Sequence, residues 1–401
     1  MLVKILAYIK MNVYQNVVDN RQIKFKRRSL KIITISLRKN LLTILFCTFA
    51  ICLVLFSNTN LAAAKNGLIL WATAVVPSLF PFFVATELLS YTNVVPFLGK
   101  VFSKIMRPLF GVPGEAAFAF LMGLISGYPV GAKITTQFVE EGICNKEEGE
   151  RMLSFTNNSG PLFIIGTVGI TLFGSSLIGA LLLITHILAC ITVGIILNVF
   201  RKKKKMVGYL KNQLINKNSN FFFELKSTAT SSLPSNKFDN ISNKKSASFS
   251  SLGEVLGKSI QSATSTVLLI GGFVVIFSVI LSICNQSHLL DMASQIIAPV
   301  MNLLGIPIEL IKPFLSGIIE LTNGVNLVAS FPMKAISINI ILCAFLLGFG
   351  GISVLLQVFS ITSRANLSIK KYVIGKLLQG AFAAFYTYLA LQFLPFLQFN
   401  L

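Results

Sequence analysis

Five long apolar runs, at 67–89, 175–200, 259–284, 335–362 and 373–396, dominate this 401-residue chain. A bilayer crossing needs about 20 apolar residues, and each run reaches that length. Composition agrees: 54% of residues are hydrophobic, 12% are charged, and mean hydropathy is +0.76. A soluble domain carries about a quarter charged residues. The chain therefore reads as an all-α polytopic membrane protein.

The net charge of +21 could point to nucleic acid, but its placement argues otherwise. Residues 1–40 hold ten Lys/Arg against one acid, and residues 201–258 hold twelve against three, so +18 of the +21 lies outside the apolar body. Basic flanks of membrane spans mark the cytoplasmic side, and no folded basic module accompanies the charge, so no nucleic-acid partner is expected. Residues 1–40 read as a basic cytoplasmic leader. The segment 41–57 reads as a signal anchor or transmembrane helix, with a cleaved signal peptide the less favoured alternative. The Ser-, Asn- and Lys-rich stretch 201–258 reads as a flexible cytoplasmic linker. It separates two membrane repeats, 67–200 and 259–396.

The repeats are visible in the residues. GVPGEAAFAFLMGLI (111–125) and GIPIELIKPFLSGII (305–319) match at seven of fifteen positions without a gap. FFVATELLSYTN (82–93) resembles FVVIFSVILSICN (273–285). Amphipathic stretches at 94–110 and 288–304 read as interfacial or tilted helices in corresponding places. Chance rarely preserves both residues and element order. If both basic tracts are cytoplasmic, the first repeat crosses an odd number of times and its successor is inverted. Two inverted-topology repeats place a site at their interface in many secondary transporters.

Each repeat also breaks its helices at membrane depth, where lipid offers no hydrogen-bond partners and a break survives only inside protein or beside water. SGYPVGAK (126–133) and ELTNGVN (320–326) form one such pair; NNSGPLFIIG (157–166) and GFGGISVLLQ (348–357) form another. Broken or re-entrant helices that converge on one site would supply Ser126, Gly127, Tyr128, Asn157, Asn158, Ser159, Glu320, Thr322, Asn323, Asn326, Gly350, Gly351, Ser353 and Gln357 as substrate-binding groups. Glu320 is the sharpest of them, because an intramembrane acid faces a cavity or a partner. Lys312 is a candidate neighbour for it. Glu115 and Glu309 follow prolines at helix starts and suit the helix dipole, whereas Gly123, Gly317, Gly166 and Gly169 suit close packing. The hydrophilic stretch 133–151 reads as a helix or hairpin outside the bilayer with a solvated face.

No phosphate loop, nucleophile elbow or HExxH pattern occurs, and the six cysteines and two histidines show no metal spacing. No enzymatic chemistry, cofactor or metal is expected. The four break motifs together resemble the YlbJ-type sporulation integral membrane proteins, of the nucleoside-recognition or Gate domain group. The resemblance spans about 67–396 apart from the linker. It implies a multi-pass protein of spore-forming Firmicutes, in the mother-cell or forespore membrane, required for spore cortex formation. The Gate group also includes parts of ferrous-iron and concentrative nucleoside transporters, which implies a carrier or channel for a small polar solute. A non-transporting scaffold that recruits cortex or engulfment factors is the alternative. The partners so implied are the lipid bilayer, an unidentified solute and other sporulation proteins, with oligomeric state open between a single copy and a homo-oligomer.

Overall fold

This computed structural model describes residues 40–219, 252–331 and 336–393, so the leader at 1–39 and the linker residues 220–251 lie outside the described residues. The described residues are helical throughout their regular elements and part into two units between Asn60 and Leu61. The first holds the apolar helix α1 (Asn40–Leu55) and the opening turn of α2 (Ser57–Leu70). There the Asn60 side-chain amide donates to the carbonyls of Cys52 and Leu53, at 3.1 and 3.5 Å.

The second unit contains two helix series in the same order. In the first series α2 widens into a π turn (Trp71–Val75) and continues as α3 (Val76–Ser90). Then come α4 (Val94–Ile105), α5 (Ala116–Ser126), α6 (Val130–Glu140), α7 (Lys146–Thr156), a π helix (Leu162–Leu172) and α8 (Ser176–Ser219). The second series runs α9 (Leu252–Gln286), α10 (Leu289–Leu303), α11 (Ile308–Ile319), α12 (Leu321–Ala329), α13 (Ile336–Phe349), α14 (Gly351–Thr362) and α15 (Lys370–Phe393). Three stretches of the described residues are long and apolar enough to cross a membrane unaided: Ser176–Arg201, Leu252–Gln286 and Ser337–Ala365. The amphipathic helices turn sharply, by 83° between Leu79–Ser90 and Val94–Phe110 and by 114° between Leu289–Leu303 and Ile308–Ile319.

The leading helices of the two series run antiparallel. Gly67 lies against Ser278 and Val275. The Trp71 indole N–H donates to the Val267 carbonyl at 2.9 Å, and Lys133 bridges Glu87 and Ser262 at 2.9 and 2.6 Å. As the first series advances from 67 to 87, its neighbours on α9 therefore recede from 278 to 262. Other elements cross between series: α6 packs on α14, α12 on the π helix, α7 on α15, and α8 on both α13 and α15.

One expectation from the sequence changes, and a second gains detail. The helix α8 does not end at the basic tract but continues to Ser219, and α9 begins at Leu252, so both helices extend into the stretch read as linker. The segment 133–151 folds as the outer part of the α6–α7 hairpin. Asn145 caps α7 through a reciprocal box with Glu148, and Glu140, Glu141, Lys146 and Glu147 keep an exposed face, while Ile134, Thr135, Thr136, Phe138 and Arg151 are buried in the protein. The charged first turns of α7 dominate the local composition, while its apolar last turns pack on α5, α6 and α15.

Candidate functional site

At the first break, α5 stops at Ser126, Gly127 takes φ +80°, and a cis Tyr128–Pro129 bond leads into α6. The hairpin so formed closes tightly over the end of α7. A Cβ added at Gly123 or at Gly131 would strike the Thr156 carbonyl oxygen, so both positions need glycine for this approach. At the second break the chain leaves α7 at Thr156, is extended at Asn157, passes through Asn158–Gly160 without regular structure and enters the π helix behind Pro161. Gly127 rests directly on this segment: a Cβ added there would lie 2.9 Å from the Gly160 nitrogen.

At the third break Glu320 is extended (φ −137°, ψ 117°) between α11 and α12. Its carboxylate accepts from the backbone N–H groups of Thr322 and Asn323, at 3.1 and 2.8 Å, and so caps its own following helix. Lys312 is not its partner: that ammonium pairs with Asp291 at 2.7 Å. Among the described residues Glu320 forms no ion pair, although it is 97% shielded from solvent by the protein (3% exposed). At the fourth break Gly350 (φ +87°) and Gly351 (φ +79°) interrupt the helix between α13 and α14. The Tyr128 hydroxyl occupies the space beside Gly350, and the Gly317 carbonyl that beside Gly351.

Three of the breaks and the helix that follows the fourth border one cavity of about 520 Å³. Gly127 and Tyr128 come from the first, Ser159 and Gly160 from the second, Glu320 and Thr322 from the third, and Ser353 and Gln357 from one to two turns beyond the fourth. The remaining wall is mostly apolar, from Leu70, Val75, Leu79, Leu162, Phe163, Ile270 and Val274, with Thr73, Thr167 and Thr171 interspersed. Such a lining, with a few convergent polar groups, suits a small polar ligand. Tyr128 and Ser159 each donate to the Leu347 carbonyl, at 2.8 and 3.3 Å, and thereby join the first series to the second across the site.

Other expected site residues stand behind or away from this wall. Ser126 bonds Thr86 at 3.0 Å, and Asn323 contributes its N–H to Glu320. Gly350 and Gly351 shape the crossing point without lining the cavity. Asn326 is exposed on α12, with Ser330 its bonded neighbour at 3.4 Å. Asn157 and Asn158 are fully buried but belong to a second polar cluster. There the Lys376 ammonium donates to the Asn157 carbonyl and to Gln379, at 2.9 and 2.7 Å, and stands 5.4 Å from the centre of the Tyr128 ring. Gln379 donates to Asn158 at 2.9 Å and lies 3.4 Å from His186; Asn157 donates to the Tyr372 hydroxyl at 2.8 Å. Lys376, Gln379 and Tyr372 are not among the residues expected from the sequence, and His186 is weighed there only for metal spacing. The one available signal was a lysine with a glutamine three residues on, sharing a helix face inside an apolar run.

No group of three or more metal-ligating side chains occurs among the described residues. Glu115 stands at the N-cap of α5 without a side-chain capping bond, and Glu309 in the first turn of α11, both where the dipole favours an acid.

Comparison with known proteins matches the Gate model, described as nucleoside recognition, over residues 72–202 and 267–365. Those stretches carry all four breaks, whereas Tyr372, Lys376 and Gln379 fall outside them. The sporulation integral membrane protein YlbJ of Bacillus subtilis (strain 168) is 35% identical over 329 residues, covering 82% of this chain and 76% of that protein. No solved structure matches. The chain thus belongs to the Gate family and, within it, to the YlbJ-type sporulation integral membrane proteins that reside in the lipid bilayer.

Proposed function

We propose that this protein is a carrier or channel for a small polar solute, acting in spore cortex formation from the mother-cell or forespore membrane. The observation that carries this reading is the meeting of three helix breaks, and of the helix after a fourth, on one cavity with a buried carboxylate in its wall. Broken helices at membrane depth are costly in lipid and are the usual material of transporter sites. The antiparallel course of α3 and α9 supports two inverted repeats around that cavity, each tied to the other at Leu347. Rocking of one repeat against the other would then expose the site alternately to the two sides. The Gate description and the sporulation relative support the same reading.

Glu320→Gln tests it, because the substitution removes the charge and keeps the volume. Heat-resistant spore yield is measured in a sporulating host whose own copy is replaced by the variant, with membrane abundance compared against wild type. The expected result is a collapse of yield at normal abundance. Unchanged yield at normal abundance would remove the carboxylate from function and leave the non-transporting scaffold as the better account.

A further inference from the structure

A second and larger cavity, of about 810 Å³, adjoins the end of α3 between α9 and α14. Its character differs from that of the central one. Lys133, Lys258 and Arg364 enter it from three separate elements, and Ser262, Ser265 and Thr266 add hydroxyl groups along one face of α9. Lys133 and Lys258 pair with Glu87 and Glu254, and Thr266 donates to the Ser262 carbonyl, yet charges set against lipid tails remain costly and water solvates them.

The two cavities share their walls in register. On α9, Thr266 borders the polar cavity and Ile270, one turn later, borders the central one. On α14 the order is reversed: Ser353 and Gln357 border the central cavity, and Ser360, one turn later, borders the polar one. Because α-helical neighbours lie three and four residues apart, consecutive turns of the same two helices form a continuous wall from one cavity to the other.

The polar cavity also has a definable side. The helix α8 runs into the basic tract at Arg201, and α9 leaves it at Leu252. A hydrophilic connection cannot cross lipid, so both helix ends lie on one face, and its basic character makes that face cytoplasmic. Lys258 stands within the second turn of α9, at this same end.

We propose that the polar cavity is the cytoplasmic mouth of the central site, a hydrated chamber through which a small hydrophilic solute reaches the central cavity. Lys133, held by Glu87 and Ser262, anchors the α5–α6 hairpin at its floor. The inference rests on the carrier reading for its purpose, but its test reads water access and orientation, not transport.

The test places single cysteines in the full-length chain after its six native cysteines have been replaced. Ser265→Cys probes the mouth and Ile270→Cys the junction with the central cavity. Each is treated with a charged, membrane-impermeant maleimide in inside-out and right-side-out vesicles, with variants of wild-type abundance used. Several-fold faster labelling of both positions in inside-out vesicles is the expected result, with Ser265→Cys the faster of the two. Labelling by a lipid-soluble maleimide alone would mean that lipid fills the chamber, and preferential labelling from the right-side-out face would reverse its side. Either overturns the inference. Labelling of Ser265→Cys without Ile270→Cys would overturn the connection between the cavities. A labelled mouth together with a neutral Glu320→Gln phenotype would retain the chamber and reject the carrier, so the two readings fail separately.

Discussion

The breaks of the first helix series and the break at Glu320 in the second are held in opposite ways. In the first series the support comes from across the molecule: Lys376 and Gln379 of α15 hold Asn157 and Asn158, and Tyr128 and Ser159 reach the Leu347 carbonyl. The third break is held locally, since Glu320 caps the N–H groups of its own helix, whereas the fourth shares the Leu347 contacts with the first series. A break held in trans depends on how the two halves sit; a break held in cis travels with its own hairpin. If the repeats rock, the bonds to Asn157, Asn158 and Leu347 must be exchanged, and the hairpin capped by Glu320 can move as a finished unit.

Lys376→Met should have the largest effect on this contrast. It leaves the Asn157 carbonyl and Gln379 buried without their cationic donor, and each unsatisfied buried group costs about 1–3 kcal/mol. A drop in thermal midpoint of the detergent-purified protein of several degrees is expected, with reduced membrane abundance. Water accessibility of a cysteine at Ser159 should rise, whereas one at Thr322 should label as before. Equal loosening at both positions would mean that the third break is not supported on its own.

The chain's own residues made the breaks legible but not what holds them. Gly, Pro and Asn clusters inside apolar runs have few other uses, and the repeat fixed their order, so SGYPVGAK, NNSGP, ELTNG and GFGG all lie where the pattern places them. Asn326 belonged to the same polar string as Glu320, yet a helix rotates about 100° per residue and carries it to the exposed face. Lys376 was obscured for another reason. Its bond to Asn157 spans 219 positions, and no local pattern announces a partner at that distance. The charged beginning of α7 likewise masked its buried end, because composition averages over a helix that packing treats turn by turn.

Glu320→Gln should have a smaller effect on stability than Lys376→Met despite its larger effect on function. A glutamine retains one carbonyl oxygen where the carboxylate offered two, so one capping bond is lost at a cost of about 1 kcal/mol. The thermal midpoint should fall slightly and the fold should persist. A loss as great as that of Lys376→Met would show that the third break also depends on groups beyond its own hairpin.

The smallest single effects are expected at the shared acceptor. The break at Gly350 ends α13, so the Leu347 carbonyl lacks the N–H that a continuous helix would send to it four residues on. Tyr128 and Ser159 both donate to it, and removal of either leaves the other in place. Tyr128→Phe and Ser159→Ala should therefore each cost about 0.5–1 kcal/mol, within the range of one net hydrogen bond. The double variant leaves the carbonyl with neither donor and should cost more than the two singles together, by the desolvation penalty that the surviving bond had prevented. Chemical or thermal denaturation of the four proteins measures this coupling. Simple additivity would mean that water replaces the lost donors at Leu347, and the link between the two series would then be wet rather than direct.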